Sequence, residues 1–230
     1  MGIVALLATV VVLLLVVPGT TLRERANALN ALPELQIIGQ MIAYLLVLGY
    51  MYVLVTRERR RPSFWEAIHW NWPRATQVYL LAGVLLQAAF LIVEWLLKRF
   101  MPKETPLDAL LRRPWSLILI AAFAVTLGPL MEELFFRGFL YPVLKRRFGV
   151  ATGVLVTALG FGLIHAAQYG YSWLSISLIF VVGIVLAVVR ERSNSVAASF
   201  LVHVGYNGTI IAILFLATDG FRHLDKIRSQ

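Results

Sequence analysis

The 230-residue chain contains no cysteine and little charge: only 14% of its residues are Asp, Glu, Lys or Arg. Without a thiol it has no disulfide scaffold, no thiolate nucleophile and no Cys-based zinc site. Soluble domains carry about 25% charged residues. A charge content this low, with 60% hydrophobic residues and a mean hydropathy of +0.79, excludes an ordinary soluble domain and points to a polytopic membrane protein. The net charge of +9 does not indicate nucleic acid, because the basic residues do not gather into one patch. They form short clusters between apolar runs: Arg57-Glu58-Arg59-Arg60-Arg61, Lys145-Arg146-Arg147 and Arg190-Glu191-Arg192. Loops lying on anionic lipid headgroups have this distribution. No basic residue precedes the apolar run Ile3–Val17 and no clear small-x-small site follows it, so it does not read as a cleaved signal; short and Val-rich, it suits a tilted or partly interfacial helix. Leu6 stands where a myristoylation motif needs Ser or Thr.

Seven apolar segments can be drawn, roughly 3–17, 35–55, 77–97, 115–141, 150–169, 172–189 and 195–217. At ~20 residues per span, the expected fold is all-α: a transmembrane helix bundle of about seven spans, within a range of six to eight. The expected organisation is N-terminal helices and an interfacial connection over 1–114, a helical core over 115–217 and a polar tail over 218–230. The connection Arg57–Trp72 mixes basic residues with Phe64, Trp65, Trp70 and Trp72, a composition suited to the headgroup zone. Lys98–Pro114, interrupted by Pro102, Pro106 and Pro114, reads as the longest polar loop. Seven spans place eleven Lys and Arg on one side and ten on the other, so the positive-inside rule hardly sets orientation. The two densest clusters, 57–61 and 145–147, fall on one side, and the cytosol is the expected location for it. The expected location of the chain is a plasma membrane, and its look is prokaryotic.

Against this apolar background three polar signals carry chemistry. The first is Glu132-Glu133-x-x-x-Arg137, inside a predicted span. A charge at the bilayer centre costs at least ~2.5–3.5 kcal/mol, and ionisable groups at that depth face a bundle interior or a wet cavity. Glu133 and Arg137 are four residues apart and can pair on one helix face. Glu132 lies about 100° round the helix, free for another role. A buried Glu–Arg pair on its own can be a packing device; the second acid beside it has no such explanation. The second signal is Phe161-x-x-x-His165, flanked by Gly160, Gly162, Ala166 and Ala167, small residues that let another helix approach closely. A lone histidine in an apolar helix is more often a packing residue. The third is His203-x-x-x-Asn207, whose bland reading is interhelical hydrogen-bond glue. His69 and His223 fall in polar connections. Taken together, the set offers a base, an imidazole and two donors. Amide hydrolysis needs an activated water and a stabilised oxyanion. An amide hydrolase within the membrane is the concrete expectation.

Three motifs in this order, over about residues 115–217, resemble the CPBP family, which includes CAAX prenyl endopeptidases of the Rce1 type and bacteriocin-processing or immunity (ABI) proteins. The resemblance implies an intramembrane endopeptidase in which Glu132 is the general base and His165 its partner in activating water. His203 and Asn207 form the oxyanion hole, and Glu133 and Arg137 support the site. In the Rce1 type the substrate is a prenylated C-terminal CaaX tetrapeptide. Prokaryotic members lie mostly outside prenylation, so the expected partner is a membrane-associated peptide or protein, lipidated or not. No cofactor is expected. Were a metal bound, Glu132, His165 and His203 would hold it and zinc would suit them, but the chain lacks a His-Glu-x-x-His helix and Asn is a poor zinc ligand. The alternatives are a non-catalytic immunity or binding protein on the same scaffold, and a small proton-coupled transporter. Geometry supplies a condition: Glu132 can reach His165 only if its helix runs on through Phe139–Lys145 despite Pro142. Side chains more than ~10 Å apart would count against hydrolysis.

Overall fold

In lipid every backbone polar group must find a partner within the protein, and a helix satisfies its own. The computed structural model is accordingly helical, with no strand among the described residues, which are 21, 24, 33–57, 63–111 and 114–223. The expected first span at 3–17 and the end of the tail, 224–230, lie outside them. The helices are α1 (Pro33–Arg57), the single turn α2 (Phe64–Ala67), α3 (Thr76–Leu97), α4 (Pro106–Leu111), α5 (Pro114–Val125) and α6 (Leu127–Glu133). A π-helical segment (Leu134–Leu140) follows, then α7 (Tyr141–Phe148), α8 (Val150–Ile164), α9 (Trp173–Ser193) and α10 (Val196–Ala217). Among the described residues, five stretches are long and apolar enough to cross a membrane: Gly39–Arg57, Thr76–Phe100, Leu117–Phe148, Trp173–Ser193 and Val196–Ala217; α8 is a shorter apolar helix. The chain is a multi-pass helical membrane protein. Outward-facing Leu45, Leu85, Trp95 and Leu159 are exposed, as a surface meant for lipid should be.

Two expectations change. The segment drawn over 150–169 stops being helical at Ile164, and 165–171 form turns in which Gly170 and Tyr171 take positive φ. The Leu107 amide donates to the Gln168 carbonyl at 3.1 Å and ties this reversal to α4. The loop drawn over 98–114 is likewise not wholly irregular, since it contains a 3₁₀ turn at Lys98–Phe100 and α4.

The span Leu117–Phe148 is helical throughout its deep half, but prolines shape it. Pro129 has no amide hydrogen and its ring opposes the carbonyl four residues back, so α5 cannot continue through it. The chain breaks at Thr126 (φ −128°, ψ −94°) and α6 restarts. Pro142 does the same to the carbonyl of Gly138, and here the chain widens instead of breaking: the Tyr141 amide reaches five residues back to Phe136. The helix therefore continues past Phe139, and Glu132 lies well below its end. From Glu132 to Phe148 is sixteen residues and from Val150 to His165 fifteen, so α8, returning beside this helix, brings His165 to the depth of Glu132.

Glycines set the closest helix contacts. A Cβ on Gly83 of α3 would lie 2.1 Å from the Val202 carbonyl of α10, and one on Gly205 would lie 2.3 Å from that of Leu80. The two backbones touch, a packing that small residues alone permit. α8 and α9 meet similarly, with a Gly183 Cβ 3.0 Å from Ala158 Cα and a Gly162 Cβ 3.1 Å from the Ile176 carbonyl. At the opposite end from the 165–171 turns, the Val196 amide donates to His69 (3.0 Å) and the Ser195 hydroxyl to the Asn71 carbonyl. The Tyr141 hydroxyl donates to Glu191 (2.7 Å), which also pairs with Lys145. Phe64 and Ile68 are buried against Met51, Met131 and Leu134, so the aromatic connection tucks into the bundle as well as flanking it.

Candidate active site

The two glutamates are one residue apart and stand in different environments. Glu133 is fully buried; its Oε1 accepts from Arg137 Nη1 at 2.8 Å and from His203 Nδ1 at 3.0 Å. Arg137, equally buried, donates through Nη2 to the Gly183 carbonyl at 3.0 Å and lies 4.6 Å from the centre of the Phe161 ring. This knot joins the π segment, α9 and α10 and sets the height of α10. Glu132 points the other way, with its side chain 11% exposed. Its Oε1 accepts from the Tyr44 hydroxyl at 2.9 Å. Its Oε2 faces two imidazoles, 3.9 Å from His165 Nε2 and 3.8 Å from His203 Nε2.

The hydrogen bonds behind the rings define what those Nε2 atoms can do. His165 caps α8, and its Nδ1 lies 2.7 Å from the Phe161 carbonyl. A carbonyl can only accept, so Nδ1 carries the hydrogen and Nε2 of the neutral ring presents a lone pair. Behind His203 stands the Glu133 carboxylate, which also only accepts, so Nδ1 is again the donor. The two imidazoles thus differ in what lies behind them. Their 3.8–3.9 Å gaps to Oε2 are too long for direct hydrogen bonds and short enough for one water to touch both ends.

Beside Glu132 is a cavity of about 60 Å³ lined by Gln40, Tyr44, Val47, Met131, Glu132, Phe135, Phe136 and Ile164. A water needs about 10–15 Å³ of such space, so there is room for a few. Apart from Gln40, Tyr44 and Glu132 the wall is apolar.

Asn207 differs from the rest. Its Nδ2 donates to the Ala124 carbonyl at 2.8 Å, so the amide is drawn to the break between α5 and α6 and not to Glu132 or either ring. Ala124 lies next to the last residue of α5, where carbonyls lose their helical partners. Of the six residues singled out by the sequence, five, Glu132, Glu133, Arg137, His165 and His203, stand in one contiguous cluster. Asn207 is one turn further along α10 from His203 and occupied elsewhere. Sequence reasoning missed Tyr44, because it is one of three tyrosines in α1, and Tyr50 and Tyr52 are 63% and 54% exposed. No spacing rule separates the inward one from aromatics that lie in lipid.

As a holder of a metal the set fits poorly. Among the described residues no three His, Cys, Asp or Glu side chains form a metal-binding cluster. A gap of 3.8 Å would subtend about 130° at an ion ~2.1 Å from each atom, wider than the tetrahedral angle zinc prefers.

Residues 114–209 match the family described as Type II CAAX prenyl endopeptidase Rce1-like. The matched stretch begins at α5 and ends within α10, leaving α1 to α4 outside it. It bears out the resemblance to the CPBP family over this stretch and supports a CAAX-type intramembrane protease as the kind of function. No curated protein and no solved structure matches the chain.

Proposed function

With residues 114–209 forming an Rce1-like domain, we propose that the chain is a metal-independent glutamate endopeptidase that cuts a membrane-associated peptide or protein. The observation that carries this reading is the convergence of two imidazole Nε2 atoms on Oε2 of Glu132, at 3.8 and 3.9 Å. Glu132 takes a proton from a water held between it and His165, and the water oxygen attacks the scissile carbonyl carbon. The resulting oxyanion accepts from Nε2–H of His203 in its doubly protonated form, the ring being oriented by Glu133 through Nδ1. Asn207 is the second donor: an amide nitrogen carries two hydrogens, and only one is directed at Ala124. Collapse of the tetrahedral intermediate breaks the C–N bond, and the proton held by Glu132 passes to the leaving amine. Arg137 pairs with Glu133 and holds it in place. The apolar cavity beside Glu132 suits an aliphatic substrate residue, such as those of a CaaX sequence, lipidated or not. Anionic headgroups against the basic clusters would hold the bundle at its depth in the plasma membrane.

The test is cleavage of a fluorogenic membrane-anchored peptide by purified protein in detergent, wild type against Glu132→Ala and His203→Ala, each with and without chelator. The expected result is turnover by wild type that chelator leaves unchanged and both substitutions abolish. Undiminished turnover in Glu132→Ala would remove the base. Loss of activity on chelation, restored by zinc, would replace the water mechanism with a metal site on Glu132, His165 and His203. The tie between Asn207 and Ala124 favours one other reading, a non-catalytic binding or immunity scaffold. Wild type that binds the peptide and never cuts it would establish that one.

A further inference from the structure

Tyr44 belongs to α1, outside the stretch that matches the protease family, and nothing in the proposed chemistry uses it. Its hydroxyl nevertheless donates to Oε1 of Glu132 at 2.9 Å, the shortest polar contact that carboxylate makes. The ring is fixed by a parallel stack on Phe123 of α5, with centroids 5.8 Å apart and planes 11° from parallel. Gln40, Tyr44 and Val47 follow one another at helical spacing and together wall the cavity beside Glu132. The neighbouring Leu45 and Leu46 are exposed, so the inward stripe of α1 is narrow and meets the site at Tyr44. Rotation of a carboxylate about its last torsion is broad and nearly two-fold, so a glutamate on its own does not hold one oxygen in one direction. A phenol anchored by a stack and bonded to Oε1 does hold it, through a charge-assisted bond.

We propose that Tyr44 is a positioning residue that holds Oε1 of Glu132 so that Oε2 alone faces His165 and His203. This rests on the reading of Glu132 as the base. It means that the site is completed by a helix outside the matched domain, and that α1 sets the orientation of the carboxylate as well as covering it.

The experiment compares wild type, Tyr44→Phe, Tyr44→Ala and a chain with p-aminophenylalanine at position 44, in the same detergent. One readout is isotope-edited difference infrared on ¹³C-glutamate-labelled protein, where the carboxylate band of Glu132 is identified by its loss in Glu132→Gln. The others are kcat, KM and Tm. Tyr44→Phe keeps the stack on Phe123 and removes only the donor. Its Glu132 band is expected to shift and kcat to fall about tenfold, with KM and Tm near wild type. The amino variant, which donates again, is expected to restore both band and kcat. A Tyr44→Phe protein with unchanged band and unchanged kcat, alongside a lowered Tm in Tyr44→Ala, would reduce Tyr44 to a packing residue and overturn the proposal. Should Tyr44→Phe itself melt early, failure of the amino variant to restore the band would overturn it equally. If wild type cuts no peptide, the reading of Glu132 as base fails, while the band still decides whether Tyr44 holds the carboxylate.

Discussion

At the scale of single residues, two adjacent glutamates in one helix have opposite fates, and substitution should separate them. Glu132 makes one close hydrogen bond and keeps an oxygen free toward the imidazoles, so Glu132→Gln preserves shape and leaves no buried charge uncompensated. Cleavage should fall by ~10²–10⁴-fold, the usual contribution of a positioned base, with Tm within a degree or two of wild type in a thermal melt. Glu133→Gln is expected to do the reverse damage. It strips a buried Arg137 of the one carboxylate paired with it among the described residues and weakens the partner of His203 Nδ1. Breaking a buried pair from one side costs about 3–5 kcal/mol, so the variant should melt many degrees lower or fail to accumulate. Among the described residues, Oε2 of Glu133 and Nε of Arg137 are already buried without hydrogen-bond partners, so this knot has little slack to absorb the loss. Equal stability in the two variants would contradict the division of roles. The sequence disclosed this division in part. The i, i+4 spacing of Glu133 and Arg137 is a local rule and could be read directly. That His203 would stand behind Glu133 could not, because seventy residues separate them and only packing brings them together.

At the scale of elements, the proline positions account for the shape of the span that carries the glutamates. Pro129 ends α5, and at the break that follows the Ala124 carbonyl draws Asn207 aside; Pro142 produces the π turn between the glutamates and the Tyr141–Glu191–Lys145 anchor. A π turn carries an extra residue, so reverting it would rotate one end of the helix against the other by about 100°. Pro142→Ala restores an amide donor and removes a ring clash, so ordinary helical pairing becomes available there. With Tyr141 and Lys145 still anchored, the rotation falls on Glu132 and Glu133, and cleavage should drop by at least ~10-fold. A Pro142→Ala protein that is both fully active and unchanged in helix geometry would show that the turn does not depend on the proline. Sequence reading anticipated a helix that runs past Pro142, because two groups at matched depth required it. It did not anticipate the widened turn, nor the end of α8 at Ile164, since Ala166-Ala167 extend the apolar stretch past His165 and no glycine or proline follows until Gly170. The break there comes from tertiary ties at Gln168 and the positive φ of Gly170 and Tyr171.

At the scale of the whole molecule, the matched stretch packs against helices that lie outside it. It contains the glutamates and both imidazoles, yet α10, which carries His203, lies backbone to backbone against α3 through Gly83 and Gly205, and Glu132 is held from α1. The motifs made the chemistry of the second half legible, whereas the first half showed only apolar segments, because glycine contacts and one inward tyrosine carry no distinctive pattern. A chain cut in the Met101–Thr105 loop tests this dependence. Residues 102–230 expressed alone should aggregate or purify as a polydisperse, inactive species. Co-expressed with residues 1–101, they should be retained by a tag on the N-terminal piece and recover cleavage. Gly205→Leu in the C-terminal piece should abolish that retention, because a side chain there would begin 2.3 Å from the Leu80 carbonyl and cannot be accommodated without parting the helices. Size-exclusion profiles and tag pull-down read the outcome directly. A monodisperse, active 102–230 fragment would mean that α1 and α3 are accessories, and that the arrangement of Glu132 and the two histidines is held entirely within the matched domain.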